Sequence, residues 1–454
     1  MLRIRQWILG VLMLVCSSLQ AQEFNQNYYY TPDELPNACI YLPAPPAFDS
    51  QVFEDDFQQW IWGKSVRDTE RGKMASKDSE LTFQKMAKIY GEILGFTIGE
   101  KETPAIWKFM VRAGDTGHAA VKKAKERYMR VRPFALMNEN LAGEFDVDSA
   151  LRKNGSYPSG HTATGWSIAL ALAEMAPEMQ DALLRRGYQY GESRVIVGAH
   201  WQSDVEAARL TSAAALASMH HHPNYLKDLK EARSEFLKIT GLKMNNIAYP
   251  KVENIIDLPL DTNNRRYYSD FVQYQQALAE RNAPRGKQAY EDADVSDEAF
   301  LKCFSPAIGI SLSASETPHI AALLVRTKQI LMEEATRLQA TTFRKRPWEQ
   351  YGEAVPMVAT AENLKSTSYP SVGATLGWGL SLVLVEVASS RQDDILARGY
   401  EFGRSRVITG MNFASDVHAG RLLATCVFVR MQSDRDFQTL LEKAQKEYEK
   451  LRVK

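Results

Sequence analysis

The chain has 454 residues, 45% of them hydrophobic and 24% charged, the balance of a globular protein of two or three domains. Lys+Arg and Asp+Glu both total 55, so the formal net charge is zero. That argues against a nucleic-acid or other polyanion partner, which selects for a basic surplus, and leaves room for a local basic pocket.

At the N-terminus, Arg3 and Arg5 precede the apolar run WILGVLMLV, and CSSLQAQ follows. This is the three-part pattern of a secretory signal peptide over residues 1–21, with cleavage expected after Ala21. The alternative is an uncleaved anchor helix, for which the run is short. No later stretch is apolar for long enough to span a bilayer, so a periplasmic or secreted protein without an integral membrane span is expected. Cys39, Cys303 and Cys426 remain after cleavage. They are too few and too odd in number for a disulfide framework. They read as three buried thiols, with a Cys39–Cys303 bridge as the alternative.

From there on the chain repeats itself. RDTERGKMASKDSEL, from Arg67, is matched by RNAPRGKQAYEDADV, from Arg281, and RVRPF at Arg130 by RKRPW at Arg344. RGYQYGESRVIVGAHWQSDVEAARL, from Arg186, is matched without a gap by RGYEFGRSRVITGMNFASDVHAGRL, from Arg398. The period is about 212–214 residues, so each unit is a whole domain rather than a solenoid repeat. The expected division is residues 22–245 and 246–454. Between them, TGLKMNNIAYPKVENIIDLPLDTNN lacks helical periodicity and is rich in turn formers, as a linker is. HTATGWSIALALAEMA and SDVEAARLTSAAALASM carry apolar residues at spacings of three and four with many alanines, the signature of helices. LKDLKEARSEFLKI and EKAQKEYEKLRVK read as matching terminal amphipathic helices. The predicted fold class is all-α, two tandem helical bundles.

Three polar clusters interrupt the helical sequence of the first repeat. KERYMRVRP gives Lys125, then Arg132 and Pro133. PSGH spans Pro158 to His161. SRVIVGAHWQSD gives Ser193 and Arg194, then His200 and Asp204. Lys125, Arg132 and Arg194 supply three cations, and a guanidinium grips phosphoryl oxygens in a fork. PSGH is expected to open a helix, with free N–H groups and the Ser159 hydroxyl facing an anion and Gly160 allowing close approach. His200 and Asp204 are four residues apart; on a helix the carboxylate would fix the imidazole's tautomer. That leaves His161 as a second, differently charged imidazole. Taken singly, PSGH is an N-cap, His200–Asp204 a structural hydrogen bond and Arg194 a solvated side chain. Their joint order and spacing point to a site. His220, His221 and His222 form a run near a helix end and read as surface residues rather than a metal site.

With K-x6-R-P, P-S-G-H and S-R-x5-H-x3-D all matched, the first repeat resembles the type 2 phosphatidic acid phosphatase superfamily. Its flanks, YMRVRPF, NGSYPSGHTATGW and RGYQYGESRVIVGAHWQSDV, together with YLPAPPAFDS and RDTERGKMASKDSE nearer the N-terminus, are similar to the bacterial class A non-specific acid phosphatases within it. The resemblance implies that His200 is a nucleophile forming a phosphohistidine, Asp204 its orienting partner and His161 the acid for the leaving alcohol. Lys125, Arg132, Ser159, Gly160 and Arg194 would bind the phosphoryl oxygens. It implies no metal and no other cofactor, with small phosphomonoesters as substrates.

In the second repeat Lys125 is replaced by Gln339, Gly160 by Val372, His161 by Gly373 and His200 by Asn412. Arg346, Pro347, Ser371, Ser405, Arg406 and Asp416 persist. His418 lies two residues past Asp416 and does not stand in for His200 on a helix. The second domain therefore reads as a catalytically dead partner, paired with the first inside one chain. The competing readings are a vanadate-dependent haloperoxidase, which uses a similar anion cradle, and a non-catalytic phosphate-binding protein.

Overall fold

The computed structural model describes residues 27–145, 148–243, 247–257, 259 and 266–452; the expected signal peptide lies outside them. All regular structure among the described residues is helical, as predicted. The first series is α1 Ala38–Tyr41, α2 Phe53–Ser65, α3 Glu70–Lys77, α4 Phe83–Leu94, α5 Pro104–Ala120, α6 Lys122–Tyr128, α7 Pro133–Leu136, α8 Asp148–Leu151, α9 Gly160–Met175, α10 Gln180–Ile196, α11 Gln202–Met219 and α12 Pro223–Thr240. The second is α13 Arg266–Ala279, α14 Pro284–Glu291, α15 Asp297–Ile308, α16 Pro318–Gln339, α17 Pro347–Tyr351, α18 Val372–Val387, α19 Gln392–Ile408, α20 Ala414–Met431 and α21 Arg435–Leu451. Helix for helix, α13–α15 follow α2–α4, α17 follows α7, and α18–α21 follow α9–α12. One rod, α16, covers what α5 and α6 cover in two.

Burial explains the roles. Every residue of α9 is buried, and α18 is buried from Gly373 onward. A helix that is apolar all round belongs at the centre of a bundle. Ser159 and Ser371 start these helices, their hydroxyls accepting from Thr162 N and Ala374 N at 3.3 Å each, as N-caps do. The outer helices bury one stripe: Tyr225, Asp228, Ala232 and Phe236 on α12, and Phe437, Leu441, Ala444 and Tyr448 on α21. Burying one such phenylalanine contributes about 1.5–3 kcal/mol, so Phe236→Asp would detach α12.

The two series share one contiguous apolar core, which includes Trp166 and Trp378. Each also lends an arm to the other. Gln392 Nε2 donates to Glu34 O at 2.9 Å and Asn37 N to Asp393 Oδ1 at 2.7 Å. Reciprocally, Gln180 Nε2 donates to Ala248 O at 2.8 Å and Lys251 N to Asp181 Oδ1 at 3.2 Å. The described part of the linker is therefore packed rather than loose, with Val252 and Ile255 fully buried. Apart from one 3-10 turn at Val252–Asn254 it runs along α10, where Arg185 Nη1 donates to Ile255 O at 3.0 Å and Tyr188 Oη to Asp257 Oδ2 at 2.8 Å.

Of the histidine run, His220 is buried and His221 and His222 are half-buried rather than exposed. His220 is buried, with Nε2 3.1 Å from Glu174 Oε2 and Nδ1 in close contact with Glu386 Oε1. His221 Nε2 contacts Val385 O at 3.0 Å. His222 caps α12 and packs on Tyr29 and Tyr30. The helix end that looked solvent-facing is an interface between the two series, and sequence periodicity within α11 carries no sign of it. The thiol expectation also needs correction: all three cysteines are free, but only Cys426 is buried, while Cys39 and Cys303 are half-buried.

Candidate active site

The three clusters converge. The last turn of α10 carries Arg194, fully buried. Gly198 then takes a left-handed φ of +81°, which ends the helix without the clash a β-carbon would bring. Ala199 N and His200 N turn back to donate to Arg194 O at 3.0 and 3.2 Å. His200 therefore sits in the turn before α11, not on a helix. The expected helical pairing with Asp204 gives way to a tighter arrangement. Asp204 Oδ2 accepts from Trp201 N at 2.8 Å, closing the start of α11, and lies 3.4 Å from His200 Nδ1. On the other side of the ring, Nε2 is 2.8 Å from Arg132 Nη1. Arg132 stands just before α7, and its guanidinium donates to Ala199 O at 3.0 Å and Leu151 O at 3.0 Å.

PSGH behaves as its residue types dictate. Ser159 N donates to Asp204 O at 2.9 Å, tying α9 to the base of α11. Ser159 Oγ receives Thr162 N and, at 2.9 Å, Thr162 Oγ1. Gly160 is crowded: a β-carbon there would lie 3.0 Å from His118 Cε1 and 3.5 Å from Lys125 Cε. Lys125, on α6, donates to Gly155 O at 2.7 Å. His161 Nε2 contacts Ser79 O at 3.1 Å.

The electrostatics are those of several cationic groups buried side by side. Burial, then Arg132 beside it, holds Lys125 well below the usual ammonium pKa. Burial, then Arg194 and His200, pushes His161 well below the usual imidazole value. His200 goes the same way through burial, Arg132, Lys125 and Arg194. Cations desolvated together resist their own charge, and a nearby anion opposes these shifts.

Sequence reasoning missed the support. Arg130 Nη1 donates to Asp204 Oδ1 and Nη2 to Asp56 Oδ2, at 2.7 and 2.8 Å, and Ser203 Oγ donates to Asp56 at 2.6 Å. Burial opposes the Arg130 charge, but Asp204 and Asp56 outweigh it and raise its pKa. The signal was present, since Arg130 recurs as Arg344 and Asp56 as Asp270. Ser193 is likewise a support, donating to Asp78 Oδ2 at 2.7 Å. Nothing in the motifs pointed to His118.

In the second series the support recurs and the site does not. Arg344 donates to Asp416 at 2.6 Å and to Asp270 at 2.8 Å. Asn412 spends its amide locally: Nδ2 donates to Ser368 O at 2.6 Å, and Oδ1 accepts from Ser371 Oγ at 3.0 Å. Gln339 bonds to Pro370 O at 3.1 Å. Where His161 would project, a β-carbon on Gly373 would meet Arg406 Cδ at 2.6 Å, so the arginine side chain has filled the space. A separate cleft of about 420 Å³ lies between the two series, near Asp55, Glu206, Arg266 and His418; Ser203 of the third motif lines it, but Lys125, Arg132, His161, Arg194 and His200 do not.

The PAP2 superfamily matches residues 111–228, the span that carries Lys125 through Asp204. A non-specific acid phosphatase of Providencia stuartii is 44% identical over 213 residues, 47% of this chain and 86% of the relative. One from Salmonella typhimurium (strain LT2) is 40% identical over 210 residues, 46% and 83% of the two chains. An acid phosphatase of Zymomonas mobilis is 31% identical over 229 residues, 50% and 85%. The chain belongs to the non-specific acid phosphatases, hydrolases of the PAP2 superfamily. Among the described residues, no helix is long and apolar enough to cross a membrane.

Proposed function

We propose that this chain is a periplasmic or secreted acid phosphatase that hydrolyses small phosphomonoesters without a metal, through a phosphohistidine at His200, and that residues 246–454 form a non-catalytic structural partner of the catalytic residues 22–245. The observation that carries this reading is the pose of His200. Arg132 Nη1, which can only donate, lies 2.8 Å from Nε2, so Nε2 carries the lone pair and Nδ1, 3.4 Å from Asp204 Oδ2, carries the proton; that lone pair faces the guanidinium where a phosphoryl group would lie. Nε2 attacks phosphorus as the P–O bond to the leaving alcohol breaks. His161 Nε2 is held by the Ser79 carbonyl, so Nδ1 is the nitrogen that delivers a proton to the departing oxygen. Water then attacks the phosphohistidine, His161 takes a proton back, and inorganic phosphate leaves. Lys125, Arg132, Arg194, the Ser159 hydroxyl and the N–H groups opening α9 at Gly160 stabilise the equatorial oxygens, the work a metal performs elsewhere.

The test is hydrolysis of p-nitrophenyl phosphate by the full chain in excess chelator. Turnover that survives chelation is expected. Absence of turnover, or its loss with chelator, contradicts the proposal, and halide oxidation with vanadate and peroxide would mark the haloperoxidase alternative.

A further inference from the structure

The residues that distinguish the two cradles form a set larger than the motifs. Lys125, Gly160, His161 and His200 face Gln339, Val372, Gly373 and Asn412. In the same registers, α16 places Met332 where α5 has His118, and α18 places Leu376 where α9 has Thr164. Both positions are polar beside the imidazoles and apolar where the imidazoles are missing.

His118 and Thr164 also meet in space. Thr164 Oγ1 is 3.3 Å from His118 Nδ1 and donates to Gly160 O at 3.1 Å. His118 makes a further hydrogen bond to the Gly160 backbone. With the imidazole 3.0 Å and the Lys125 stem 3.5 Å from the place of a Gly160 β-carbon, three functional elements converge on one point: α5, the α6 lysine and the first turn of α9.

We propose that His118 is a positioning residue of the phosphate cradle: it ties the opening turn of α9 to α5 and braces the Lys125 stem, so that the ammonium and the α9 N–H groups converge on the same phosphoryl oxygens. This rests on the reading of the first series as the phosphatase site. The brace adds no charge of its own, because burial, then Lys125, holds its pKa down to about 4. It acts on geometry, which in a preorganised anion site sets how strongly each donor contributes.

The test uses full-chain His118→Met, the residue of the other half, with His118→Gln as the conservative variant, and both Lys125→Met and the His118→Met/Lys125→Met double variant. Readouts are the calorimetric Kd for inorganic phosphate, KM and kcat for p-nitrophenyl phosphate, and Tm. In His118→Met, a rise in phosphate Kd and KM of roughly 5–10-fold is expected, the worth of one or two modest hydrogen bonds, with Tm little changed and most of the loss recovered in His118→Gln. In the Lys125→Met background the same change should weaken binding less than about twofold, since residues acting as one unit are not additive. Equal losses in both backgrounds overturn the proposal, as does a loss that tracks Tm and is not recovered by glutamine. If His118→Met does not fold, His118→Asn, too short to span the gap, replaces it in the same comparison. Phosphate binding is read without turnover, so a chain that binds phosphate but hydrolyses nothing would sink the functional reading while still deciding the role of His118.

Discussion

The two cradles share a scaffold and differ in what it encloses. Arg130 with Asp204 and Asp56, and Arg344 with Asp416 and Asp270, make the same bonds at 2.6–2.8 Å. Both series carry a left-handed glycine before the key position, Gly198 and Gly410, and a serine-capped central helix. What changes is the contents. Imidazole, imidazole and ammonium are replaced by Asn412, Gly373 and Gln339, and the amide groups turn inward onto Ser368 O, Ser371 Oγ and Pro370 O. Supporting residues, some within the family signature and some beside it, thus separate from the residues they enclose. Ser193, Asp204 and the arginines at 130 and 344 hold helices together, and a buried Arg–Asp pair cannot lose one partner cheaply. Lys125, His161 and His200 hold hydrogen bonds instead, and the second series keeps its helices with Gln339, Gly373 and Asn412 in their places.

The sharpest way to break the comparison is to alter equivalent positions. His200→Ala should reduce kcat by roughly 10⁴-fold or more, the scale seen when a nucleophile is removed from a unit, whereas Asn412→Ala should change it less than about twofold. Comparable losses at both positions, in a steady-state assay, would mean that the second cradle turns over. Next in size is His161→Ala, expected to lower kcat by roughly 10²–10⁴-fold for alkyl phosphates and much less for aryl phosphates, whose leaving groups need little protonation. Equal slowing of both classes would remove His161 from the acid role.

The pH profile follows from the same two rings. The proposed mechanism needs His200 neutral, and its pKa is pushed down by burial and Arg132, so activity should persist well into acid. It needs His161 protonated, and the pKa of that ring is also pushed down, a shift that a substrate phosphate would oppose. Activity should therefore rise and fall on the acidic side, with the alkaline limb marking His161 in the complex. A profile flat to strongly alkaline pH contradicts this assignment.

How much of this was legible beforehand depended on what carried the signal. The helices were readable because α9, α11, α12 and α21 state their burial in residue spacing, and the three motifs were readable because their chemistry is rare in combination. Asp56 and Asp78 were not, since a lone aspartate in a polar stretch looks solvated until its arginine arrives from over a hundred residues away in the Arg186 case. His220 misled for the same reason. Its partners Glu174 and Glu386 come from α9 and α18, and no local pattern announces a residue that is buried by another part of the chain.

His220 gives a smaller, stability-based test of how the two series are joined. Burial alone would lower its pKa, but Glu174 and Glu386 outweigh burial and raise it to about 10. A raised histidine stabilises fully below its unfolded pKa of about 6.5 and loses that contribution as pH climbs through about 10. His220→Gln should cost about 3–5 kcal/mol near neutrality by leaving two buried carboxylates uncompensated, and should flatten the alkaline fall in Tm. An unchanged alkaline limb would show that the imidazolium does not bind the two series together. The smallest effect expected is that of Asn412→His. With Gln339 and Gly373 in place, and Arg406 occupying the space beside Gly373, it should add no measurable activity in a His200→Ala background.

The most direct measurement of the central claim is acid-quench trapping of the phosphoenzyme with labelled substrate, followed by peptide mapping. The account requires at most one phosphohistidine per chain, located at His200, and none in His200→Ala. Label in that variant, or close to two equivalents in the unaltered chain, would show that the second cradle forms an intermediate of its own and would contradict the division of labour proposed for the two halves.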